Sequence, residues 1–364
     1  MFKGSAQALT ATALLAGWAA FAPASGAPCA DTSKALGVSR IVEIDTAGGP
    51  LFGDMTKYAR EESLLAPKEV VLTFDDGPMP WVTKSILETL DQFCTKATFF
   101  SVGQMALAYP DSVKDVLARG HTLGSHTWSH PLSLPRLSLE RAKDEIDRGF
   151  AAVALAAGQP IAPFFRFPGL SDSNPLLAHL QSRAVAAFTV DVVSNDSFIA
   201  SPQRLIDRVV AQTEARQGGI LLFHDIKAAT ARALPAILAE LKSRGFEVVH
   251  MRPKAPMAPL AGLEPELAPI LAKSRKAPAE EHKLIPFTGL IQTSGAADSE
   301  PPVSTLSPPL RARLAALAEA GPASADDPST RPRRRARATS GARPHAKSHT
   351  RRKREEKDAV LFGF

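Results

Sequence analysis

Residues 70 to 78 read Val-Val-Leu-Thr-Phe-Asp-Asp-Gly-Pro, an apolar run that ends in two carboxylates and a Gly-Pro pair. A run of this kind, closed by turn residues, predicts a buried strand that carries acids to the edge of a sheet. Because neighbouring side chains on a strand point in opposite directions, Asp75 and Asp76 can have different roles there. Taken alone, the stretch is also typical of a strand followed by a purely structural acidic turn.

Strand-like and helical segments alternate after this stretch. The β-rich runs cover residues 69–75, 96–102, 121–125, 164–167, 185–193, 219–223 and 246–251. The helical patterns cover residues 80–92, 104–119, 139–157, 175–181, 202–216 and 231–244. The alternation predicts an α/β fold with a mostly parallel sheet wrapped by helices. A closed or nearly closed (β/α) barrel of about seven strands is the expected form.

The N-terminus has the features of an export signal. A short basic start at Met1-Phe2-Lys3 is followed by an apolar stretch over residues 8–22 and by the small residues Ala22-Pro23-Ala24. This pattern predicts a signal peptide over residues 1–24, cleaved after Ala24, and an exported protein in the periplasm or outside the cell. An uncleaved N-terminal anchor is the alternative.

Residues 25–65 contain one β-like run, at residues 40–45, and are expected to form an N-terminal collar that leads into the domain. The chain has two cysteines, Cys29 and Cys94, and both would remain after cleavage. An oxidising compartment would allow them to form a disulfide, but two cysteines alone define no framework, so paired and free thiols both stay open.

The C-terminal third changes in composition. Residues 253–364 are rich in Pro, Ala and Ser, and residues 331–357 hold twelve Lys and Arg against two Glu. Since the whole chain has a net charge of +6, the excess of basic residues belongs to this segment and gives no reason to expect nucleic acid as a partner of the folded part. We expect a disordered extension, which either contacts an anionic envelope surface or is a solvated tail without a partner.

Ionisable side chains fall where parallel strands of a barrel would end, which is where such folds place their reactive groups. His126 and His130 follow the third predicted strand with i, i+4 spacing, which would put both imidazoles on one face of a helical turn. With a carboxylate from another strand end, for which Asp76 is the best choice, they would form the two-His, one-carboxylate set of a hydrolytic Zn²⁺ site.

Arg166 lies in the apolar run Phe164-Phe-Arg-Phe-Pro168, where a guanidinium without an acidic partner would be costly to bury. Asp75 is the nearest candidate partner at the same barrel end. A carboxylate held by Arg166 beside a metal would stay ionised and could act as general base for a water. His224 ends the apolar run of residues 219–223 and could protonate a leaving group.

These motifs resemble those of the polysaccharide deacetylases of carbohydrate esterase family 4, which share a domain with the rhizobial nodulation chitooligosaccharide deacetylase. The resemblance covers residues 68–251 and depends on Thr73-Phe-Asp-Asp-Gly-Pro78 together with His126-x-x-x-His130. It implies a distorted (β/α) barrel over residues 66–252, an N-acetylated glycan as substrate, and a divalent metal, with Zn²⁺ expected and Co²⁺ or Mn²⁺ as alternatives. By this resemblance the metal ligands are Asp76, His126 and His130, and the catalytic residues are Asp75 as base, Arg166 orienting it, His224 as acid and Asp196 holding the acid.

Two motifs depart from the family pattern. The fourth motif usually ends in Asp-Trp, but here it reads Asn195-Asp-Ser197, so Phe198 or Trp128 would have to replace the Trp that walls the acetyl pocket. The loose register leaves Asp191 as an alternative to Asp196 as the partner of His224. In the third motif Gly169 follows Pro168 where an aromatic residue is common, so the oxyanion donor would be the backbone N–H of residue 169 or 170.

The expected function is therefore that of an exported, metal-dependent hydrolase that removes N-acetyl groups from N-acetylglucosamine residues of a chitooligosaccharide, peptidoglycan or exopolysaccharide. Three alternatives remain at this point: an O-acetyl esterase on a xylan-like glycan, a degenerate relative that only binds carbohydrate, and a wall-tethering protein in which the basic tail is the functional part. The sequence indicates neither the linkage of the glycan nor an oligomeric state.

Overall fold

A parallel sheet wrapped by helices forms the framework of the chain in the computed structural model, which describes residue 33, residues 35–258, residue 260 and residues 262–276. The strands are β1 (Arg40–Ile44), β2 (Leu51–Phe52), β3 (Glu69–Asp75), β4 (Thr98–Ser101), β5 (Thr122–Ser125), β6 (Phe164–Phe165), β7 (Ala186–Phe188), β8 (Val192–Val193), β9 (Gly219–His224) and β10 (Glu247–Pro253). The helices are α1 (Pro80–Gln92), α2 (Gly103–Ala108), α3 (Pro110–Ala118), α4 (Leu139–Ala157), α5 (Asn174–Ser182), α6 (Pro202–Arg216), α7 (Ala228–Ser243) and α8 (Glu264–Lys276).

Strand β3 lies at the centre of this sheet, between β9 on one side and β4 on the other. The parallel ladders continue in the order β8, β9, β3, β4, β5, β6, β7. Alternate residues of β3 pack in two layers: Val70, Leu72 and Phe74 face the helices, whereas Val71 packs in a second cluster with Ile220. A strand that is buried on both faces reads as a continuous apolar run, which is why residues 70–74 contain no charge. The predicted α/β class is confirmed.

Two predicted elements are each divided in the structure. The predicted strand over residues 185–193 is wrong: its first part, β7, pairs with β6, and its last part, β8, pairs with β9. Between β7 and β8 the chain leaves the strand partner β6 and joins the strand partner β9. In this connection the Asp191 carboxylate accepts hydrogen bonds from the backbone N–H groups of Asp54 and Ile220. The predicted helix over residues 104–119 is also two helices, since Pro110 has no N–H to continue the helical hydrogen bonds.

The N-terminal segment contributes two strands to the sheet. Strand β1 pairs in parallel with β10, and β2 pairs in parallel with β7. The predicted signal peptide, residues 1–24, lies outside the described residues. Cys94 is disulfide-bonded, and Cys29 lies outside the described residues. No helix of the described part has the length and apolar content needed to cross a membrane.

Helix α8 lies within the stretch that was predicted as a disordered C-terminal extension. Helix α8 and the segment before it pack on the domain through the buried side chains of Met257, Leu267 and Leu271. The backbone N–H of Met257 donates to Ile161 O at 2.7 Å. The predicted extension starts at residue 253, and in its described part the sequence allows a short helix only over residues 269–276. In the structure the helix starts at Glu264, and the three apolar side chains give this segment a surface to bury. The remaining part of the predicted extension, residues 277–364, lies outside the described residues.

Candidate active site

The register of the sheet brings the predicted site residues together at the C-terminal ends of the strands. Asp75, the last residue of β3, pairs with His224, the last residue of β9. The last residues of β5 and β6 likewise pair with each other, and His126 and Arg166 directly follow them. Parallel strands that end at the same level therefore gather an acid pair, two imidazoles and a guanidinium from four separate parts of the chain.

Asp76, His126 and His130 form a buried three-residue cluster. One ligand atom from each of them lies within 4.8 Å of the others. Asp76 Oδ1 is 3.1 Å from His130 Nε2 and 3.5 Å from His126 Nε2. Within the described part of the chain, this buried oxygen has no well-directed hydrogen bond, although two imidazole nitrogens face it. Two imidazole nitrogens and one carboxylate oxygen that converge in this way fit a divalent metal of the Zn²⁺ type.

The tautomer of His126 suits this arrangement. Its Nδ1 lies 2.7 Å from the backbone oxygen of Arg166, which can only accept a hydrogen bond, so Nδ1 carries the proton. The lone pair of Nε2 then points at Asp76. Burial, together with the neighbouring His130 imidazole, lowers the pKa of His126 to about 3, so the His126 imidazole is neutral and able to act as a ligand.

The predicted strand over residues 69–75 is confirmed, but Asp76 does not continue its alternation of side chains as the sequence analysis assumed. Strand β3 ends at Asp75, and Asp76 follows it with a φ of 77°, in the left-handed region. This turn of the backbone cancels the alternation of a strand, so both carboxylates open onto one site: Asp75 Oδ2 lies 3.8 Å and Asp76 Oδ1 lies 3.5 Å from His126 Nε2. Burial disfavours the charge of Asp76, but His130 and His224 outweigh it and lower the pKa of its carboxyl group.

The two histidines lie on a loop and not on the predicted helical turn. Thr127 and His130 have φ values of 69° and 59°, which a right-handed helix does not allow. The loop is held from inside by the Thr127 hydroxyl, which accepts from His130 N at 3.0 Å. Glu145 of α4 holds it from outside, since its carboxylate accepts from Ser129 N and Ser129 Oγ, both at 2.8 Å. No local pattern marks Glu145, because it lies 16 residues from its partner.

Arg166 is fully buried and binds the acid that was predicted for it. Its Nη1 donates to Asp75 Oδ1 at 2.8 Å and to Thr73 Oγ1 at 2.7 Å. Its guanidinium carbon lies 4.3 Å from the centroid of the Phe100 ring, a cation–π geometry. Burial nevertheless outweighs Arg166 and His224 and raises the pKa of Asp75 to about 6. Such a carboxylate is largely ionised at neutral pH and basic enough to accept a proton.

His224 is held by Asp196. Its Nδ1 lies 2.6 Å from Asp196 Oδ1, and the second carboxylate oxygen accepts from His224 N at 2.8 Å and from Thr230 Oγ1 at 2.6 Å. Asp191, the alternative partner, is bound to backbone N–H groups instead. Burial works against an imidazolium here, but Asp196 and Asp76 outweigh it and raise the pKa of His224 to about 10. Its Nε2 lies 3.9 Å from Asp76 Oδ2, toward the metal cluster.

Asp225, which the sequence analysis did not select, braces the acidic turn. Its backbone N–H donates to Asp75 O at 3.2 Å. Its Oδ1 accepts from Gly77 N at 2.9 Å, and its Oδ2 accepts from Thr83 Oγ1 at 2.7 Å. A Cβ at Gly77 would lie 2.0 Å from the Asp225 carboxylate, so only glycine fits this approach. The signal for it was available: an Asp directly follows His224 at a buried strand end.

The two proposed replacements for the missing Trp lie in different surroundings. Trp128 is partly buried against the helix-facing core, with the Arg148 guanidinium carbon 5.6 Å from its ring centroid. Phe198 is 61% exposed. Of the two candidate oxyanion donors, Leu170 N–H already donates to Phe167 O at 3.0 Å, which favours Gly169.

Known proteins resemble this chain in sequence and in fold. A family model described as polysaccharide deacetylase matches residues 64–187. A peptidoglycan-N-acetylmuramic acid deacetylase of Bacillus subtilis is 34% identical over 182 residues, which are 50% of this chain and 38% of the relative. A chitooligosaccharide deacetylase of a Bradyrhizobium strain is 30% identical over 213 residues, 55% of this chain and 94% of the relative.

Among solved structures, a peptidoglycan deacetylase of Bdellovibrio bacteriovorus superposes with a TM-score of 0.54 at 34% identity, and the match covers 60% of this chain and 59% of that one. The chain thus spans nearly all of the rhizobial relative, but well under half the length of the Bacillus relative, at 38%.

Proposed function

Since the chain belongs to the polysaccharide deacetylase family, we propose that it is a metal-dependent hydrolase that removes N-acetyl groups from N-acetylglucosamine residues of a polysaccharide or oligosaccharide. The names of its relatives point to two substrate types, peptidoglycan and chitooligosaccharide. Both are N-acetylated glycans, so the class of substrate follows from either.

The observation that carries the proposal is the convergence of three pre-arranged units on one point. The metal-ligand set of Asp76, His126 and His130 has its donor atoms within 4.8 Å of one another. Asp75, held by Arg166, and His224 approach this set at 3.8 Å and 3.9 Å. A protein that only binds carbohydrate would need neither a base nor an acid at a metal site, so the non-catalytic alternative is disfavoured.

Each residue has a role that its surroundings support. A divalent cation in the Asp76 cluster would supply a Lewis acid for the acetamide oxygen and lower the pKa of the attacking water. Asp75, oriented by Arg166, takes the proton of that water. The backbone N–H of Gly169 is the donor that we propose for the oxygen on which charge develops. His224, held through Nδ1 by Asp196, gives its Nε2 proton to the departing amine, and acetate and a glucosamine residue remain.

We propose Zn²⁺ as the metal, because two imidazoles and one carboxylate with an open position are its usual hydrolytic set. Co²⁺ and Mn²⁺ accept the same ligands and are the alternatives. The set does not suit Ca²⁺ or Mg²⁺, which prefer oxygen ligands alone.

The general acid His224 gives a reason to expect an amide substrate and not an ester. An amine must be protonated to leave, whereas an alkoxide is the better leaving group, so a strongly held imidazolium favours N-deacetylation. His224→Asn should therefore reduce acetate release from an N-acetylated glycan much more than from an O-acetylated xylan. Equal losses on both substrates would remove this reason for preferring the amide.

Acetate release from chitooligosaccharide and peptidoglycan, with and without chelator, tests the proposal. We expect Asp75→Asn to lower kcat by at least about 100-fold while the protein still binds one metal ion, since general base catalysis contributes roughly this much. The matched variant Asp76→Asn should lose the metal itself. If metal-loaded wild-type protein releases no acetate from any acetylated glycan, the proposed function is wrong.

The localisation of the protein is a further part of the proposal. Residues 1–24 support export, with the periplasm or the extracellular space as the destination, and mature-protein sequencing would locate the cleavage site. The basic residues of 331–357 support contact with an anionic envelope surface, which vesicle binding at low and high salt would test.

A further inference from the structure

Exposed aromatic side chains occur at only two positions in the described part of the chain. The large apolar side chains that are clearly exposed there are Ile41, Trp81, Leu139, Phe198 and Ile270. Trp81 is 54% exposed and Phe198 is 61% exposed, while the other described Phe, Tyr and Trp residues are buried or partly buried. Leaving a large aromatic ring in water costs free energy that burial would recover, so such rings usually mark a binding surface.

Both residues follow strand ends on the side of the barrel that carries the candidate active site. Trp81 is in the first turn of α1, directly after the acidic turn of β3. Phe198 is in the loop that follows β8 and contains Asp196. Strand β9, which ends at His224, pairs with β8 on one side and β3 on the other. With neighbouring strands about 4.8 Å apart, the two strands that lead to Trp81 and Phe198 lie roughly 10 Å apart, on either side of the strand that ends at His224.

The backbone beneath each ring is fixed. Val82, which follows Trp81, is buried, and Thr83 is bonded to Asp225 at 2.7 Å. Phe198 N donates to Asn195 O at 2.9 Å and so closes a turn, and Ile199 packs against the helix-facing core. Neither ring therefore needs a backbone rearrangement to meet a ligand, and a preorganised surface loses less entropy on binding.

We propose that Trp81 and Phe198 are two sugar-stacking positions that bind the pyranose rings on either side of the residue being deacetylated. The C–H face of a β-linked pyranose is flat and apolar, and an aromatic ring offers an apolar surface of similar size, so stacking removes both surfaces from water. Because His224 protonates the departing amine, rings on both sides of its loop would hold the flanking sugars while the central one enters the site. The inference rests on the proposed deacetylase function and narrows its substrate to chains of at least three sugars.

A series of N-acetylchitooligosaccharides from one to five sugars tests the proposal. For the tetramer and pentamer, we expect Trp81→Ala and Phe198→Ala each to raise KM by about 3- to 10-fold with kcat nearly unchanged, the effect of losing one aromatic contact. For N-acetylglucosamine the variants should equal the wild type. Trp81→Phe and Phe198→Tyr, which keep an aromatic ring, should recover most of the tetramer affinity.

Ile41→Ala is the matched control, because Ile41 is 52% exposed but lies on β1. It should leave every KM unchanged. An equal loss on all chain lengths, or no loss on the long ones, would overturn the proposal. Calorimetric binding of the tetramer distinguishes the stacking proposal from the proposed function. Binding that depends on both aromatic rings but occurs without acetate release would support the stacking positions and refute the deacetylase activity. Acetate release that does not depend on either ring would support the deacetylase activity and refute the stacking positions.

Discussion

The paired residues Asp75-Asp76 and His224-Asp225 divide catalytic and structural work between neighbours. Asp75 and His224 are opposite each other in the ladder of β3 and β9, and each is followed by an acid with a different role. Asp76 turns into the metal cluster because its backbone is left-handed. Asp225 turns back onto Gly77 and Thr83. The different roles of base, acid and metal ligand are therefore fixed by a few hydrogen bonds where β3 and β9 end.

Asp225 is the residue whose removal should disturb this geometry most without touching the substrate. Asp225→Ala would leave Gly77 N–H unpaired, which we expect to cost about 1–3 kcal/mol of unfolding free energy and, through displacement of the acidic turn, about 100-fold in kcat. Asp225→Asn keeps an oxygen for Gly77 N–H and should retain most of both. Thermal melts, metal titration and kcat measured together would check this. If Ala and Asn variants behaved alike, the brace would have no positioning role.

Helix α4 shows how an element far from the reaction supports the metal ligands. Glu145 holds the loop between His126 and His130 through both Ser129 groups. Gly149, one turn later, lets the helix approach so closely that a Cβ there would lie 2.5 Å from Thr127 C. The loop with two left-handed residues is thus kept in shape by α4.

Loss of Glu145 should weaken metal binding. We expect Glu145→Ala to lower Zn²⁺ affinity by about 10- to 100-fold, as is usual when the groups that orient a ligand are removed. Glu140→Ala is the control, since the Glu140 side chain is 84% exposed on the same helix and pairs with Lys143 on the surface. Competition with a chromophoric chelator measures the change; equal affinities for the two variants would contradict the role of Glu145.

Strand β10 carries a buried histidine that makes stability depend on pH. His250 Nε2 donates to Thr122 Oγ1 at 3.0 Å, because that hydroxyl already donates to Met251 O. Burial, with the charges of Arg252 and Lys96, lowers the pKa of His250 to about 3. The unfolded chain binds a proton below about pH 6.5 that the folded chain does not, so the unfolding free energy falls as pH drops from about 6.5 toward 3.

The slope that His250 contributes is at most about 1.4 kcal/mol per pH unit. His250→Gln keeps an N–H donor for Thr122 but cannot titrate, so its denaturation midpoint should fall less steeply between pH 6.5 and 4.5 than that of the wild type. At pH 8 the two curves should differ only by a constant. Parallel curves over the whole range would show that His250 is protonated in the folded state.

Elements with a local signal at both ends were predictable from the sequence. Helix α4 begins after Ser138 and ends at Gly158, which has a φ of 71°, and its predicted bounds are those of the structure. Strand β3 was predictable because it is buried on both faces and therefore apolar throughout. The division between β7 and β8 could not be predicted from the sequence, because their different strand partners are set by distant parts of the chain. Glu145 was missed for the same reason, whereas Asp225 stood beside a residue that was selected.

The whole molecule includes helix α8, although the composition of residues 253–364 suggested otherwise. A chain that ends at residue 276 should match the full-length protein in unfolding free energy and in acetate release from soluble oligomers. A chain that ends at residue 253 loses the burial of Met257, Leu267 and Leu271, each worth about 1.5–3 kcal/mol as an upper value, and should melt at a clearly lower temperature. Equal melting temperatures for the two truncations would show that α8 contributes nothing to the domain.

The ligand cluster also joins distant parts of the chain, since Asp76 follows β3 whereas His126 and His130 follow β5. A cation bound there would act as a cross-link that only the folded chain can make, and at a thousand times its dissociation constant it would add about 4 kcal/mol to the unfolding free energy. Chelation should accordingly lower the melting temperature of the wild type and leave that of Asp76→Asn unchanged. The supply of free metal in its compartment would then govern how long the protein survives there, as well as how fast it works.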